Sequence, residues 1–322
     1  MSEVNVDSPS EVPSSAAPDA AARAGVAPAR SGQVQASACS CPGGGTGPRF
    51  VYALGRIGYD LISETRLDSV VQHMAAHLHL PADRNLAFDS QKVLDYLKNN
   101  SFGASSLEWT LVIDGTPVYA IRPQGAFAGD TYQLLQEFLQ EQLEGKVERV
   151  AAAGVLAGTA TLLMGHTVPV IVPERRGLYS WTTGALIETL ISPAPGEGAS
   201  EEERLAYQLR RAAVQNFLER IYHELRNLGV LPQDRAMNFA ASNAFEMGGV
   251  FKSVLQEKME LDTIKATPSP MCRPGSDCWD LEIYFFYPER QVQTVRKVYR
   301  YTVDVSDVVP ATIGPVRSWY TR

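Results

Sequence analysis

Apolar and polar residues begin to follow regular spacings at Phe50, and these spacings predict a mixture of strands and helices. A first strand is predicted at FVYAL. Two β-rich runs flank Asp114-Gly115, a dipeptide that favours a tight hairpin turn of the primed type. A further pair of β-rich runs predicts a second hairpin that turns near Gly165-His166.

Three longer segments carry apolar residues at helical spacing. Residues 129–145 predict a short helix with Asp130 or Thr131 as its N-cap. The strongest helical pattern covers residues 201–228, and a second long amphipathic pattern follows over residues 232–259.

The C-terminal part of the chain predicts three more strands, in LDTIKA, CWDLEIYFFY and VRKVYRYTVDVSD. Strands and helices do not alternate regularly, so the fold class is α+β, with a mixed or antiparallel sheet and hairpins packed against two long helices. Side chains alternate between the two faces of a strand, so about half of the aromatic residues here are expected in the core and half could face a partner. These residues are Trp279, Tyr284, Phe285, Phe286, Tyr287, Tyr299 and Tyr301.

Composition divides the chain into two parts. Residues 1–48 contain no aromatic residue, Leu or Ile, and they are rich in Ala, Pro, Ser and Gly, which predicts a disordered tail and linker. Residues 49–322 are expected to form one folded domain. The net charge of −7 argues against nucleic-acid binding, and no apolar run is long enough to predict a membrane span or a secretory signal. A cytoplasmic location is therefore expected.

Sequence motifs for common enzyme classes are missing. There is no G-x-S-x-G segment for a nucleophilic serine and no P-loop or G-x-G-x-x-G segment for a nucleotide. His73 and His77 are four residues apart and could share a metal, but they are better interpreted as solvated helix residues. An uncharacterised enzyme remains an alternative, with weak pocket candidates at Arg56, Asp60, Arg175, Arg176, Asp234, Arg235 and Asn243.

The four cysteines form two close pairs that lie far apart in the chain, Cys39 with Cys41 and Cys272 with Cys278. In a reducing compartment, two thiol pairs on flexible turns fit a tetrahedral zinc site with four cysteine ligands. Such a site would connect the start of the folded body to its C-terminal strands. The alternatives are four unrelated thiols, or a disulfide that joins the two halves.

Five segments of the sequence closely resemble the C-terminal domain of the cyanobactin maturation proteases PatA and PatG. The resemblance extends from Cys39 to Tyr320, and its last segment is the most specific. The segments are CSCPGGGTGPRFVYALGRIGYD, WTLVIDGTPVYAIRPQGAFA, VPVIVPERRGLYSW, NFLERIYHELRNLGVLPQDRAMNFAASNAF and CRPGSDCWDLEIYFFYPERQVQTVRKVYRYTVDVSDVVPATIGPVRSWY.

In that family the domain follows a subtilisin-like protease, whose Asp, His and Ser have no counterpart here. The resemblance therefore implies a non-catalytic accessory domain of ribosomal-peptide maturation, which binds a precursor peptide or a partner enzyme or forms a homodimer. It also implies that the four cysteine positions belong to the domain. The alternatives are an enzyme of peptide maturation and a purely structural, zinc-stapled oligomerisation module.

Overall fold

The computed structural model describes residues 47–322, except for 192–193, 197, 221–226, 244–249, 251–252, 255–256, 258 and 288–294. The predicted disordered tail lies almost wholly outside the described residues and stays a prediction. Among the described residues, no helix is both long enough and apolar enough to cross a lipid bilayer.

The described chain forms nine strands and six α-helices, together with short 3-10 turns at Arg84–Phe88 and Ser101–Ser106. The strands are β1 (Phe50–Asp60), β2 (Glu108–Ile113), β3 (Thr116–Ile121), β4 (Arg149–Thr161), β5 (Thr167–Trp181), β6 (Glu260–Pro268), β7 (Cys278–Phe286), β8 (Arg296–Asp304) and β9 (Ala311–Thr321). The helices are α1 (Glu64–Leu78), α2 (Ser90–Lys98), α3 (Ala128–Leu143), α4 (Thr183–Ile191), α5 (Glu201–Glu219) and α6 (Pro232–Ser242). The α+β class is confirmed.

The first five strands close into a barrel in the order β1-β2-β3-β5-β4. The hairpin β2–β3 turns at Asp114 and Gly115, with φ angles of 48° and 78°, as the primed turn requires. The hairpin β4–β5 turns at Gly165, with a φ angle of 83°. Both predicted hairpins are confirmed, and the barrel is closed by a parallel pairing of β3 with β5.

Helix α3 packs on the barrel and completes the hydrogen bonding of β1. The first half of β1 pairs with β4 and the second half with β2. Ile57 lies beyond the residues of β1 that pair with β4, so its amide and carbonyl would have no backbone partner on that side of the strand. The buried side chain of Gln142 fills that edge: it accepts from the Ile57 amide at 2.7 Å and donates to the Ile57 carbonyl at 2.8 Å.

The start of α3 differs from the prediction. The N-cap is Phe127, which makes no side-chain cap, so the predicted capping by Asp130 or Thr131 is wrong. The Thr131 hydroxyl instead donates back to the Phe127 carbonyl at 2.9 Å. Asp130 lies in the first turn, where its negative charge favours the positive end of the helix dipole.

The last four strands form an antiparallel sheet in the order β6-β7-β8-β9. Its inner face buries Phe285, Tyr299 and Tyr301 against α6 and the barrel strands β1 and β4. Tyr284 and Phe286 alternate with these residues and lie partly exposed. The expected division of the aromatic residues between core and surface is therefore observed, whereas β9 was not predicted.

A short segment before α6 crosses β1 at Tyr52 and joins the barrel to the sheet. The Tyr52 amide donates to the Gly229 carbonyl at 2.8 Å, and the Tyr52 carbonyl accepts from the Asn238 side chain at 2.8 Å. The Gly229 amide is held by Asn227 Oδ1 at 2.7 Å. Gly229 has a φ of 71°, and a Cβ added there would collide with the backbone carbonyl group of Tyr52. Only glycine fits this crossing.

Gly229→Ala is expected to lower the free energy of unfolding by about 3 kcal/mol or more, because the new methyl group pushes β1 and α6 apart. The matched control is Gly165→Ala, which has a similar positive φ but no atom within 4 Å of the added Cβ. The control substitution is expected to lower the free energy of unfolding by only about 1–2 kcal/mol, through backbone strain. Urea unfolding measures both values. Equal losses for the two variants would contradict the proposed steric clash.

Candidate functional site

A groove with a volume of about 950 Å³ lies between α2, the 3-10 turn at Ser101–Ser106 and α3. This volume is near the upper end of the range for ligand-binding cavities, roughly 300–1,000 Å³. The groove is lined by Leu94, Leu97, Lys98, Phe102, Ser105, Gly129, Tyr132, Gln133, Gln136, Glu137, Gln140, Glu141, Glu144 and Lys146.

The floor and one rim of the groove are apolar. Leu94 and Leu97 project from α2, whose first turn is capped by the Asp89 carboxylate through the amides of Gln91 and Lys92. On the rim, the Phe102 side chain is 91% exposed. A phenyl ring this exposed beside an apolar floor is suited to cover a ligand that enters the groove.

The opposite wall is the polar face of α3, on which Gln and Glu recur at helical spacing. The Gln133 amide donates to Glu137 at 3.0 Å, and the Gln140 amide donates to Glu144 at 2.7 Å. These bonds use the NH₂ groups of the glutamines. The Gln140 Oε1 atom is buried and has no hydrogen-bond partner among the described residues. Buried carbonyl oxygens of this kind are usually satisfied, so this atom is an exception, and it has too little accessible surface for a ligand in the groove to reach it.

The charges on the wall favour a basic or N–H-rich ligand. Helix α3 contains no Lys or Arg. At the edges of the groove, Lys98 is bound to Asp95 at 2.8 Å and Lys146 to Glu144 at 2.6 Å, and these hydrogen bonds lower the pKa of both carboxyl groups. Glu137 makes no ion pair with any described residue. Its carboxylate is therefore available to a Lys or Arg of a ligand.

A cluster of buried hydroxyl groups lies elsewhere, between the barrel and α6. The Tyr52 hydroxyl contacts the hydroxyl of Tyr179 and, at 2.8 Å, that of Ser242. Asn243 donates to Tyr179 at 3.1 Å. Burial, and then the neighbouring Tyr179, raise the pKa of Tyr52 well above its ordinary value, so the phenol stays neutral at pH 7. The cluster is a satisfied network that holds α6 to the barrel.

The predicted zinc ligands are only partly described. Cys272 and Cys278 form a disulfide, with their Cα atoms 5.5 Å apart, which joins the loop after β6 to the first residue of β7. This pairing differs from the predicted thiolate ligands, because the two sulfurs are bonded to each other. Cys39 and Cys41 lie outside the described residues. In the part of the chain that is described, no group of three or more His, Cys, Asp or Glu is arranged to hold a metal, so the four-cysteine site stays a prediction.

The histidines of α1 lie where the solvated interpretation expects them. His73 and His77 are both exposed, and the rings of His77 and Tyr96 form a T-shaped pair.

The weak pocket candidates do not converge. Arg56, Arg175 and Arg176 are exposed on the barrel. Asp60 accepts from the amides of Ile62 and Leu163 and so fixes a turn.

Arg235 binds backbone carbonyls across the interior. It is 5% exposed, donates to the Val305 carbonyl at 2.6 Å and also contacts the Asp307 carbonyl. Burial lowers its pKa to about 10. These bonds fix the segment that leads into β9.

Sequence reasoning did not identify the groove. The Gln and Glu spacing of α3 is a readable signal for a polar wall, but the facing helix α2 was not predicted. Because a groove needs two sides, the polar face of α3 alone was not enough to predict it.

The comparisons with known proteins agree on one family. The "PatG Domain" family model matches residues 50–160, which contain β1 to β3, α1 to α3 and most of β4. The "PatG C-terminal" model matches residues 206–319, which contain β6 to β8 and most of β9. No curated protein matches the chain.

One solved structure, described as "PatG Domain of Unknown Function", is 36% identical in sequence, with a TM-score of 0.71. The match covers 85% of this chain and 100% of the other. At this identity and coverage the likeness extends beyond a shared fold. The chain therefore belongs to the PatG family.

Proposed function

We propose that this chain is a non-catalytic accessory domain in the maturation of a ribosomally made, cyanobactin-like peptide, and that the groove between α2 and α3 binds the precursor peptide. The observation that carries the proposal is the combination of an apolar floor with an acceptor-rich wall, which includes the exposed carboxylate of Glu137. Membership of the PatG family supports the pathway.

A peptide matches this groove chemically. Its apolar side chains can lie on the leucine floor under Phe102, while its backbone N–H groups reach the acceptors of α3. A basic side chain of the peptide would pair with Glu137. Peptide-recognition surfaces commonly combine side-chain pockets with main-chain hydrogen bonds in this way.

The groove chemistry supports binding better than catalysis. The groove lining includes Ser105, whose hydroxyl donates to the Phe102 carbonyl at 2.8 Å rather than to a base. A nucleophilic serine would need a base within hydrogen-bond reach. A loop of a partner enzyme would present the same chemistry as the peptide, so the binding experiment has to compare both.

Phe102→Ala is expected to weaken binding of the pathway's unmodified precursor peptide by about tenfold or more, because an aromatic anchor at the rim is lost. The matched control is Phe88→Ala, which removes a ring that is 59% exposed outside the groove and should leave affinity unchanged. Fluorescence anisotropy with a labelled peptide measures both. An equal effect of the two variants, or binding of a partner enzyme alone, would contradict the proposal.

Glu137→Lys is expected to weaken binding of peptides that carry Lys or Arg, because a like charge then faces the ligand. The loss should diminish at high salt, since exposed charges are screened. Titrations at two salt concentrations measure this dependence. If affinity were unaffected at low salt, the assignment of Glu137 as the charge-recognition residue would be wrong.

We also propose that zinc binds the four cysteines when the Cys272–Cys278 disulfide is reduced. The short distance between these two positions suits two ligands of one tetrahedral ion, and zinc requires the thiolate form. The reduced full-length protein is expected to hold about one zinc per chain by elemental analysis, and Cys272→Ser to hold much less. His73→Ala serves as the control, with unchanged zinc. Reduced protein without zinc would refute the site.

A further inference from the structure

Strand β9 forms one edge of the C-terminal sheet. It is hydrogen-bonded to β8 on one side, and the strand order ends with it. Along its second half, Arg317, Ser318, Trp319 and Tyr320 are all exposed, and Trp319 and Tyr320 are 38% and 56% accessible. The outer edge of this half-strand is therefore accessible in the described structure.

The two halves of β9 differ in how they are protected. The first half contains Gly314, with a φ of 67°, followed by Pro315, which has no backbone N–H. Both features prevent regular pairing with another strand. Residues 316–321 contain neither glycine nor proline. At about 3.3 Å per residue they offer an edge about 20 Å long for a further strand.

The charges beside this edge favour an acidic partner. Arg317 lies directly opposite Arg300 across the β8–β9 ladder, and like charges in that position repel each other. Arg300 is 3.4 Å from the Asp280 carboxylate and lies over the Trp319 ring at 5.9 Å. Arg317 makes no ion pair with any described residue. One carboxylate placed next to Arg317 would relieve the repulsion.

We propose that residues 316–321 of β9 bind an extended acidic peptide segment of a partner protein as a fifth strand of the sheet. The backbone of the segment pairs with the open edge. Because side chains alternate across a strand, acidic residues at every second position lie on the outer face beside Arg317 and Trp319.

A second copy of this chain fits the edge less well. Pairing β9 with another β9 would bring a second Arg317 to a sheet face that already carries two facing arginines. An acidic strand places a carboxylate beside Arg317, which has no ion pair with any described residue, whereas self-pairing places a second arginine there. This proposal does not rest on the groove, which lies on the barrel.

The test uses the full chain and three labelled peptides of about eight residues, enough to cover the edge. The first has Glu at alternate positions with Val and Thr between them. The second has the same sequence with backbone N-methyl groups at alternate residues, which block strand pairing. The third has Lys in place of Glu. Fluorescence anisotropy gives the affinities, and sedimentation gives the oligomeric state.

The Glu peptide is expected to bind, and the N-methylated and Lys peptides to bind at least about tenfold more weakly. Arg317→Glu should weaken the Glu peptide similarly, whereas Arg56→Glu, an exposed arginine on the barrel, should not. Phe102→Ala should have no effect, which separates this surface from the groove. Equal binding of the N-methylated peptide would overturn the proposal, as would no binding, or a dimer through β9 that the peptide cannot displace.

Discussion

The structure depends on the crossing of the segment 227–230 over β1. At that point β1 pairs with β4 along one edge and meets an irregular segment along the other. A single hydrogen bond, from the Tyr52 amide to the Gly229 carbonyl, joins β1 to that segment. Asn238 adds a bond from α6 to the same residue. Helix α6 contacts β1 of the barrel and strands β6, β7 and β8 of the sheet, so this crossing positions a helix that packs on both. A bulkier residue at position 229 would strain the hydrophobic core that α6 shares with β1, β4, β7 and β8.

The two surfaces proposed for binding use different physical chemistry. The groove combines a leucine floor with amide and carboxylate oxygens, so the proposed ligand is one with N–H donors and positive charge. The edge of β9 offers backbone pairing beside two arginines, so the proposed partner is an acidic one. One surface lies on the barrel and the other on the sheet. A protein with both can contact two unlike segments at once, which suits an accessory domain that brings a substrate to an enzyme.

Local features were predictable from the sequence, while features that depend on distant pairing were not. Asp114-Gly115 specifies its own turn, so its hairpin was predictable. The barrel closes through parallel pairing of Ala120 with Val170, and no local pattern specifies such a partner. The edge strand β9 was missed because Gly314 and Pro315 interrupt its pattern. The Cys272 and Cys278 pair was placed on a turn, but the argument from a reducing compartment favoured thiolates over the disulfide that the structure contains.

The clamp between Gln142 and Ile57 has a consequence for how the groove can behave. Helix α3 cannot rotate or slide without leaving both backbone groups of Ile57 unpaired in the interior, and such a loss is costly. The polar wall is thus held in register with the barrel before any ligand arrives. The proposed association would then order chiefly the ligand and the Phe102 ring, with a small entropic penalty on the protein side. The proposed ligand would have to fit a preformed wall whose position is set by the barrel.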